Sequence, residues 1–311
     1  MSFSSDVKEE LCKLQIKRRH CQLAEIATMA SLMGRVEGTA EGAVLIVSTD
    51  NVRVARRFYT LVKHAFDISA RLDVIDHEKD ASVHSYNIVI GAGRDTERVL
   101  ESSKLMVSGG ALECASGIVS PILIGNECCK RAFLRAAFLC VGSVSDPEKS
   151  YHFEMVCDTM EQASQLKGVT SSLSVTSGIT RRKNRHVLYV KESDSIVDLL
   201  NLMGASTSLM NMENVRILKD MRNRVNRRVN CETANLGKTV DAASRQISCI
   251  ERLRDTGALD GLTPTLVEMA YLRLSNPDAS LKELGLMCDP PLGRSGVNHR
   301  LKKLEELADE L

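Results

Sequence analysis

The 311-residue chain has room for two or three domains, each with a core of its own. Its formal net charge of +1 excludes a uniformly basic nucleic-acid coat, so any DNA affinity must come from local patches. Aromatic residues make up only 4% of the chain and Trp is absent, which disfavours single-strand binding by base stacking.

The cysteine pattern and the hydropathy indicate a reduced, cytoplasmic protein. No two of the ten cysteines have C-x-x-C spacing, which disfavours zinc and thioredoxin-like sites, so we expect no metal and no cofactor. No signal peptide and no apolar run of about 18 residues occurs, so we expect no membrane partner.

Residues 1–20 predict a short amphipathic helix. Val7, Leu11 and Leu14 share one face, and the basic run at residues 17–20 closes the segment. Positive charge at a helix C-terminus suits the helix dipole, which favours an ordinary helix end over a DNA-contacting arm.

The next part of the chain repeats one order of elements. An apolar helix ending at Gly34 precedes two strands, a helix, two strands and a helix, and the same order follows a second helix ending at Gly142. We therefore predict an α+β domain with antiparallel sheets over residues 21–205, in halves 21–110 and 126–205.

Residues 206–257 predict a basic helical linker, broken at residues 235–237 and resuming as a helix over 239–254. Its arginines wrap around the helix, and phosphate contact and simple solvation are both open for them. The candidates for phosphate contact are Arg222, Arg224, Arg227 and Arg228.

Residues 258–311 predict an all-α helix-turn-helix domain. Thr263 and Pro264 start one helix, Ser280 and Glu283 form a capping box for a short second helix, and a third runs over 294–307. A stripe of Val297, Leu301, Leu304 and Ala308 is expected to be buried, which leaves a polar face free to enter a major groove.

The partner that this pattern predicts is double-stranded DNA, although a small helical domain with a merely solvated polar face remains open. Base edges and phosphates are within reach of hydroxyl, amide, imidazole and cationic side chains. The predicted DNA-binding residues are Ser280, Lys282, Arg294, Ser295, Asn298, His299, Arg300, Lys302 and Lys303.

Three weaker signals remain. The run Gly91-Ala92-Gly93 lacks the third glycine of a dinucleotide-binding loop. The run Asp76-His77-Glu78 offers metal ligands but lies in a charged loop, where solvation is the simpler interpretation. A basic hairpin turn at residues 181–185 could contact phosphates, although charge is usual in such turns.

Two stretches, residues 26–34 and 134–142, resemble the nine-residue LAGLIDADG motif of homing endonucleases. In that family an acidic residue before the last glycine binds the catalytic metal. The corresponding residues here are Met33 and Val141, which cannot supply the oxygen ligands that Mg²⁺ requires. The resemblance implies a retained scaffold without catalytic residues.

Four further stretches are similar to the WhiA family of sporulation and cell-division regulators of Gram-positive bacteria: residues 126–135, 142–152, 229–235 and 295–300. The resemblance covers nearly the whole chain. It implies a nucleoid-associated DNA-binding transcription regulator of sporulation, cell division and chromosome segregation, and not an enzyme. Other transcription regulators or RNA polymerase are further partners of such a protein.

Two other functions remain as alternatives. An active metal-dependent DNA endonuclease would need the carboxylates that Met33 and Val141 replace. A protein-interaction module that needs no DNA would show no affinity for genomic fragments in a mobility assay.

Overall fold

The computed structural model describes residues 2–40, 42–76, 84–108, 111–113 and 117–311. The chain forms two compact units, one extending to Leu218 and one from Lys219 to Leu311. The first is α+β with antiparallel sheets and the second is helical, so the predicted fold class is confirmed. Within the described part of the chain, no helix has the length and apolarity needed to cross a membrane.

The first half of the α+β unit ends in a short hairpin that the sequence did not predict. Its strands form one antiparallel sheet in the order β3-β4-β2-β1-β6-β5. Its elements are α1 (Phe3–Lys13), α2 (Arg19–Met33), β1 (Gly34–Thr39), β2 (Gly42–Thr49), α3 (Val52–Phe66), β3 (Arg71–Asp76), β4 (His84–Ile90), α4 (Arg94–Ser103), β5 (Met106–Ser108) and β6 (Ala111–Glu113).

The second half repeats the topology of the first. Its sheet has the order β7-β8-β10-β9, which matches β1-β2-β4-β3, so the predicted duplication is confirmed. After a 3-10 helix at Pro121–Ile124 come α5 (Glu127–Val141), β7 (Gly142–Val144), β8 (Phe153–Cys157), α6 (Met160–Ser172), β9 (Gly178–Arg182), β10 (Arg185–Val190), α7 (Ser193–Met203) and α8 (Ser206–Asp255).

Helices α2 and α5 pack against each other in the centre of this unit. Ile26 and Met29 on α2, and Phe133 and Phe138 on α5, are fully buried. Phe138 stacks on Phe153 of β8 with ring centroids 5.2 Å apart. Such burial on most sides explains why both helices are apolar nearly all round.

The N-terminal helix is shorter than predicted. Leu14 leaves the helical conformation, so α1 ends at Lys13, and the basic run at residues 17–20 instead leads into α2. Ser4 of α1 accepts a hydrogen bond from the backbone N–H of Val144 in β7 (3.3 Å), which places α1 beside that strand.

A carboxylate on α1 caps the start of α8. Glu10 accepts hydrogen bonds from the backbone N–H groups of Thr207 (2.6 Å) and Ser208 (2.9 Å) and from the Ser208 hydroxyl (2.7 Å). Burial opposes ionisation, but these hydrogen bonds outweigh it and lower the pKa of Glu10 below its usual value. The negative charge therefore satisfies donors that a helix N-terminus leaves free.

The predicted break in the basic linker is wrong. Helix α8 runs without interruption through residues 235–237, where we predicted a break. A lone glycine inside a helix costs only about 1 kcal/mol, and no proline stands nearby to stop it. Helix α4 ends at Ser103, because Lys104 takes the left-handed conformation (φ 54°), and β5 then starts at Met106.

The second unit has its own core. A 3-10 helix at Ala258–Gly261 precedes α9 (Pro264–Ser275), α10 (Leu281–Met287) and α11 (Arg294–Asp309). The core joins Ile250 and Leu253 of α8 to Met269 and Leu284, and to the predicted stripe, which is buried throughout: Val297, Leu301, Leu304 and Ala308. The predicted helix-turn-helix arrangement is therefore present.

Two local features fix the position of α10. Its predicted capping box forms, since Ser280 Oγ accepts from the Glu283 N–H (3.3 Å) and Glu283 Oε2 accepts from the Ser280 N–H (2.8 Å). The turn to α11 packs directly on its backbone, where Leu292 N donates to Gly285 O (2.8 Å). A Cβ at Gly285 would overlap the Leu292 carbonyl oxygen and lie 3.1 Å from Val297 Cγ2, so this close approach requires glycine.

Candidate nucleic-acid interface

Helix α11 presents a continuous polar face. Ser295, Asn298, His299 and Lys302 are all exposed, and their spacing of three, four and seven residues places them on one side of the helix. The opposite side is the buried stripe, so these side chains are held by a packed helix without contributing to its core. We refer to these four residues as the α11 face.

A cavity of about 440 Å³ opens beside the α11 face. It brings together four of the predicted DNA-binding residues, two from α10 and two from α11, and cations of α8 and α9 also line it. The residues that carry its polar character are Ser280, Lys282, Arg294, Asn298, Lys238 and Arg273. No Asp or Glu is among the described residues that line it, so the cavity favours an anionic occupant such as a phosphate.

Arg273 holds the loop that enters α10. It is 3% exposed, and its guanidinium donates to the carbonyl oxygens of Ala279 (2.7 Å) and Pro277 (3.3 Å). Desolvation by burial lowers the pKa of Arg273. Its Nε and the Oε1 of Gln246 are buried without a hydrogen-bond partner, and both residues line the cavity. By holding this loop, Arg273 fixes the positions of Ser280 and Lys282 at the start of α10.

Sequence reasoning missed Arg273 and Lys238 as members of this site. A signal for Arg273 was available, since it continues the apolar helical spacing of Leu266, Met269 and Ala270, where a charged residue must be buried and paired. Lys238 directly follows the predicted helix break at residues 235–237, so the sequence did not predict that it would lie near α10.

Two predicted DNA-binding cations have partners within the unit. Arg300 turns toward α9, where its Nη1 lies 3.6 Å from Glu268 Oε2 and donates to Thr265 O (3.3 Å). It lies between α11 and α9 and is not part of the interface that we propose below. Lys303 remains exposed, with its Nζ 3.6 Å from Glu306 Oε2.

The other basic candidates lie on open surface. Arg222, Arg224, Arg227 and Arg228 are all exposed on α8, and Arg228 pairs with Glu232 (2.9 Å). Arg182, at the end of β9, pairs with Glu154 of β8 (2.9 Å). Of the weak metal candidates, residues 77 and 78 lie outside the described residues, together with the side chain of Asp76.

Among the described residues, helices α2 and α5 each end on a side chain that cannot ligate Mg²⁺. Met33 and Val141 are the last residues of these helices, and both pack against the hydrophobic core. Glu25 lies farther back on α2, fully buried, with one oxygen 2.6 Å from Arg135 Nη1 and the other 2.9 Å from Arg57 Nη2. Both carboxylate oxygens of Glu25 are therefore engaged in structural ion pairs.

The opposite, N-terminal ends of α2 and α5 carry a cluster of metal-ligating side chains. His20 Nδ1 lies 3.1 Å from Cys129 Sγ, 3.4 Å from Cys21 Sγ and 4.0 Å from Cys128 Sγ. Sequence reasoning missed it because it looked for C-x-x-C spacing. The available signal was the repeat itself, since His20-Cys21 and Cys128-Cys129 stand at the same distance before the two LAGLIDADG-like motifs.

Comparison with known proteins covers all parts of the chain. Residues 19–106 match the WhiA N-terminal LAGLIDADG-like domain, 130–222 the WhiA LAGLIDADG-like domain, and 225–308 the WhiA C-terminal HTH domain. The chain is 47% identical over 312 residues to the probable cell division protein WhiA of Lachnoclostridium phytofermentans, covering 100% of this chain and 99% of that one. The corresponding protein of Alkaliphilus oremlandii is 44% identical over 313 residues, which cover 100% of this chain and 98% of that one.

A solved structure has the same fold. The full-length DUF199/WhiA protein from Thermatoga maritima superposes with a TM-score of 0.59 at 23% identity, covering 100% of this chain and 99% of that chain.

Proposed function

The chain belongs to the WhiA family, and from that premise we propose that it is a sequence-specific regulator of transcription that binds double-stranded DNA. Its relatives are named probable cell division proteins, so we propose genes of cell division, sporulation and chromosome segregation as its targets. The corresponding location is the nucleoid in the cytoplasm, and other transcription regulators or RNA polymerase are the protein partners that this role calls for.

The observation that carries this proposal is the α11 face beside an electropositive cavity. Asn298 is exposed and can make paired hydrogen bonds to the N6 and N7 atoms of adenine in a major groove. Lys302 and Lys303 are suited to phosphates, and Ser280, Lys282 and Arg294 would bind the backbone along the cavity rim. Ser295 and His299 complete the set that could reach base edges.

We expect Asn298→Ala and Lys302→Ala to have different effects on DNA binding. Loss of the Asn298 amide should weaken the preferred site by about 1–3 kcal/mol and leave non-specific binding nearly intact. Loss of the Lys302 charge should weaken binding to all sequences and reduce the salt-dependence slope by about one unit. The measurement is affinity for the preferred site, obtained by selection from genomic fragments, and for a scrambled duplex across a salt series.

Lys167→Ala is the matched control for this experiment, because it removes one exposed positive charge from helix α6 without touching the α11 face. It should leave affinity and salt slope unchanged, and circular dichroism should show all three variants folded. If both α11 variants bind the preferred site like the wild type, α11 is not the reading helix. If the wild type shows no affinity for any DNA, the protein-interaction alternative replaces the proposal.

We further propose that the LAGLIDADG-like unit does not cut DNA, because Met33 and Val141 stand where the endonucleases place their metal ligands. The purified chain should leave supercoiled plasmid and genomic DNA intact in Mg²⁺ or Mn²⁺, as judged by gel electrophoresis. Metal-dependent cutting that copurifies with the chain and disappears in a Val141→Lys variant would favour the endonuclease alternative. An unrelated protein purified in the same way controls for contaminating nuclease.

A further inference from the structure

We propose that His20, Cys21, Cys128 and Cys129 form a four-coordinate Zn²⁺ site that joins the two halves of the LAGLIDADG-like unit. Their ligand atoms, one imidazole nitrogen and three thiol sulfurs, all lie within 4.8 Å of one another. The site lies at the N-terminal ends of α2 and α5. It is therefore separate from the C-terminal ends of these helices, where an endonuclease metal would lie.

The distances suit tetrahedral zinc. Zn–S bonds of about 2.3 Å and Zn–N bonds of about 2.0–2.1 Å place ligand atoms about 3.5–3.8 Å apart in a tetrahedron. The separations from His20 Nδ1 to the three sulfurs, 3.1, 3.4 and 4.0 Å, lie on either side of that range. Small rotations of exposed His20 and half-buried Cys128 would bring the ligands into place around an ion.

The donor set selects the metal. Three thiolates and one imidazole are soft to borderline ligands, which favour Zn²⁺ over Mg²⁺ or Ca²⁺, and four protein ligands are typical of a closed structural zinc site. On binding, each of the three thiols loses a proton to solvent and becomes a thiolate ligand. No redox change is required.

Positive charge lies beside the cluster. Each ligand pair occupies the first turn of its helix, where free backbone N–H groups and the positive end of the helix dipole stabilise negative charge. Arg18, Arg131 and Glu127 line an open cavity of about 530 Å³ beside His20 and Cys128, which offers an entry path from solvent. Arg131 pairs with Glu127 (2.8 Å), so Arg18 is the cation that offsets the net negative charge of Zn²⁺ with three thiolates.

The position of the cluster gives the metal a structural role. Cys21 and Cys129 are buried where α2 and α5 meet, packed with Ala24 and Ala132 in a small hydrophobic cluster. His20 and Cys128 are separated by 108 positions along the chain, so a bound ion would cross-link the two halves over a long loop. Zinc would thus hold the starts of the two central helices together.

The test is the metal content of the full-length chain, purified without chelators and measured by inductively coupled plasma mass spectrometry. We expect about one zinc per chain, and we expect Co²⁺ exchanged into the site to give thiolate charge-transfer and tetrahedral visible bands. Removing zinc with a chelator should lower the Tm of the wild type.

The variants use the two more accessible ligands, so that failure to fold does not obscure the result. His20→Ala and Cys128→Ser should lose most of the zinc, and chelator should no longer change their Tm. His20→Cys should keep zinc and strengthen the cobalt–thiolate band. Cys231→Ser, at an exposed position on α8, is the matched control and should bind metal like the wild type.

Three results would overturn the proposal. A folded, fully reduced wild type that takes up neither added Zn²⁺ nor Co²⁺ excludes the site. A disulfide within the cluster in protein isolated under thiol-trapping conditions would assign these residues to redox chemistry instead. An iron–sulfur chromophore in protein isolated without oxygen would assign them to a different metal.

Discussion

Replacing Glu25 by Ala is expected to reduce the free energy of unfolding by about 3–5 kcal/mol, the cost of breaking a buried ion pair by removing one partner. The Glu25 side chain is fully buried, and the guanidinium groups that it neutralises, on Arg57 and Arg135, are only 5% and 13% exposed. Without the carboxylate, two positive charges would remain in a low-dielectric core. Denaturant unfolding followed by circular dichroism measures the loss.

The same network also holds backbone groups, which adds to the expected loss. Arg57 donates to the carbonyl oxygens of Cys12, in the last turn of α1, and of Leu14, just after that helix. Arg135 donates to Met203 O at the end of α7 (2.6 Å). Glu25 therefore fixes the orientation of two arginines that together join five helices, α1, α2, α3, α5 and α7, and the connection after α1.

Glu232→Ala is the matched control, because Glu232 pairs with Arg228 on the exposed surface of α8 at a similar distance, 2.9 Å. Exposed pairs of this kind contribute about 0–1 kcal/mol. If Glu25→Ala costs no more free energy of unfolding than Glu232→Ala, the buried network does not stabilise the fold.

Gly285→Ala is expected to destabilise the second unit by about 1–3 kcal/mol or more, as overpacking does in a well-packed core. The added methyl would meet the Leu292 carbonyl oxygen and Val297, so either the turn or α11 must move. Since α11 carries Asn298 and Lys302, we expect weaker binding to the specific site as well. Thermal unfolding and the binding assay described above measure both effects.

The control for this substitution is Gly237→Ala, in the middle of α8, where no atom lies within 4 Å of the added Cβ. Alanine should stabilise that helix by up to about 1 kcal/mol, because it loses less backbone entropy than glycine. The same chemical change should therefore move Tm in opposite directions at the two positions. A shift in the same direction would show that packing at Gly285 is not the cause.

Local patterns predicted the elements that depend on neighbouring residues. Apolar spacing located α2, α5 and α11, and the hydroxyl-to-carboxylate spacing of Ser280 and Glu283 located the start of α10, because each signal lies within a few residues. The duplicated order of elements was then enough to predict the α+β fold and its antiparallel sheets.

The remaining features depend on contacts between distant residues. The strands β5 and β6 have three residues each, too few to show an alternation of apolar and polar residues. The single glycine at residue 237 did not show whether α8 would break or continue. The cavity around Arg273 and the cluster at His20 depend on which helices meet. Helical spacing could indicate only that Arg273 is buried, and the repeat was the signal for the cluster at His20.

The hydrogen bond from the Val144 N–H of β7 to the Ser4 hydroxyl of α1 has a consequence for self-association. An edge strand with free N–H and C=O groups can pair with a strand of another molecule. The first sheet continues past β1 into an added hairpin, whereas β7 ends its own sheet and has α1 beside it, with the Val144 N–H already bonded to Ser4. A chain that began after α1 would leave this edge open and would also expose the core that Val7 and Leu11 of α1 cover, so we expect it to form intermolecular sheets.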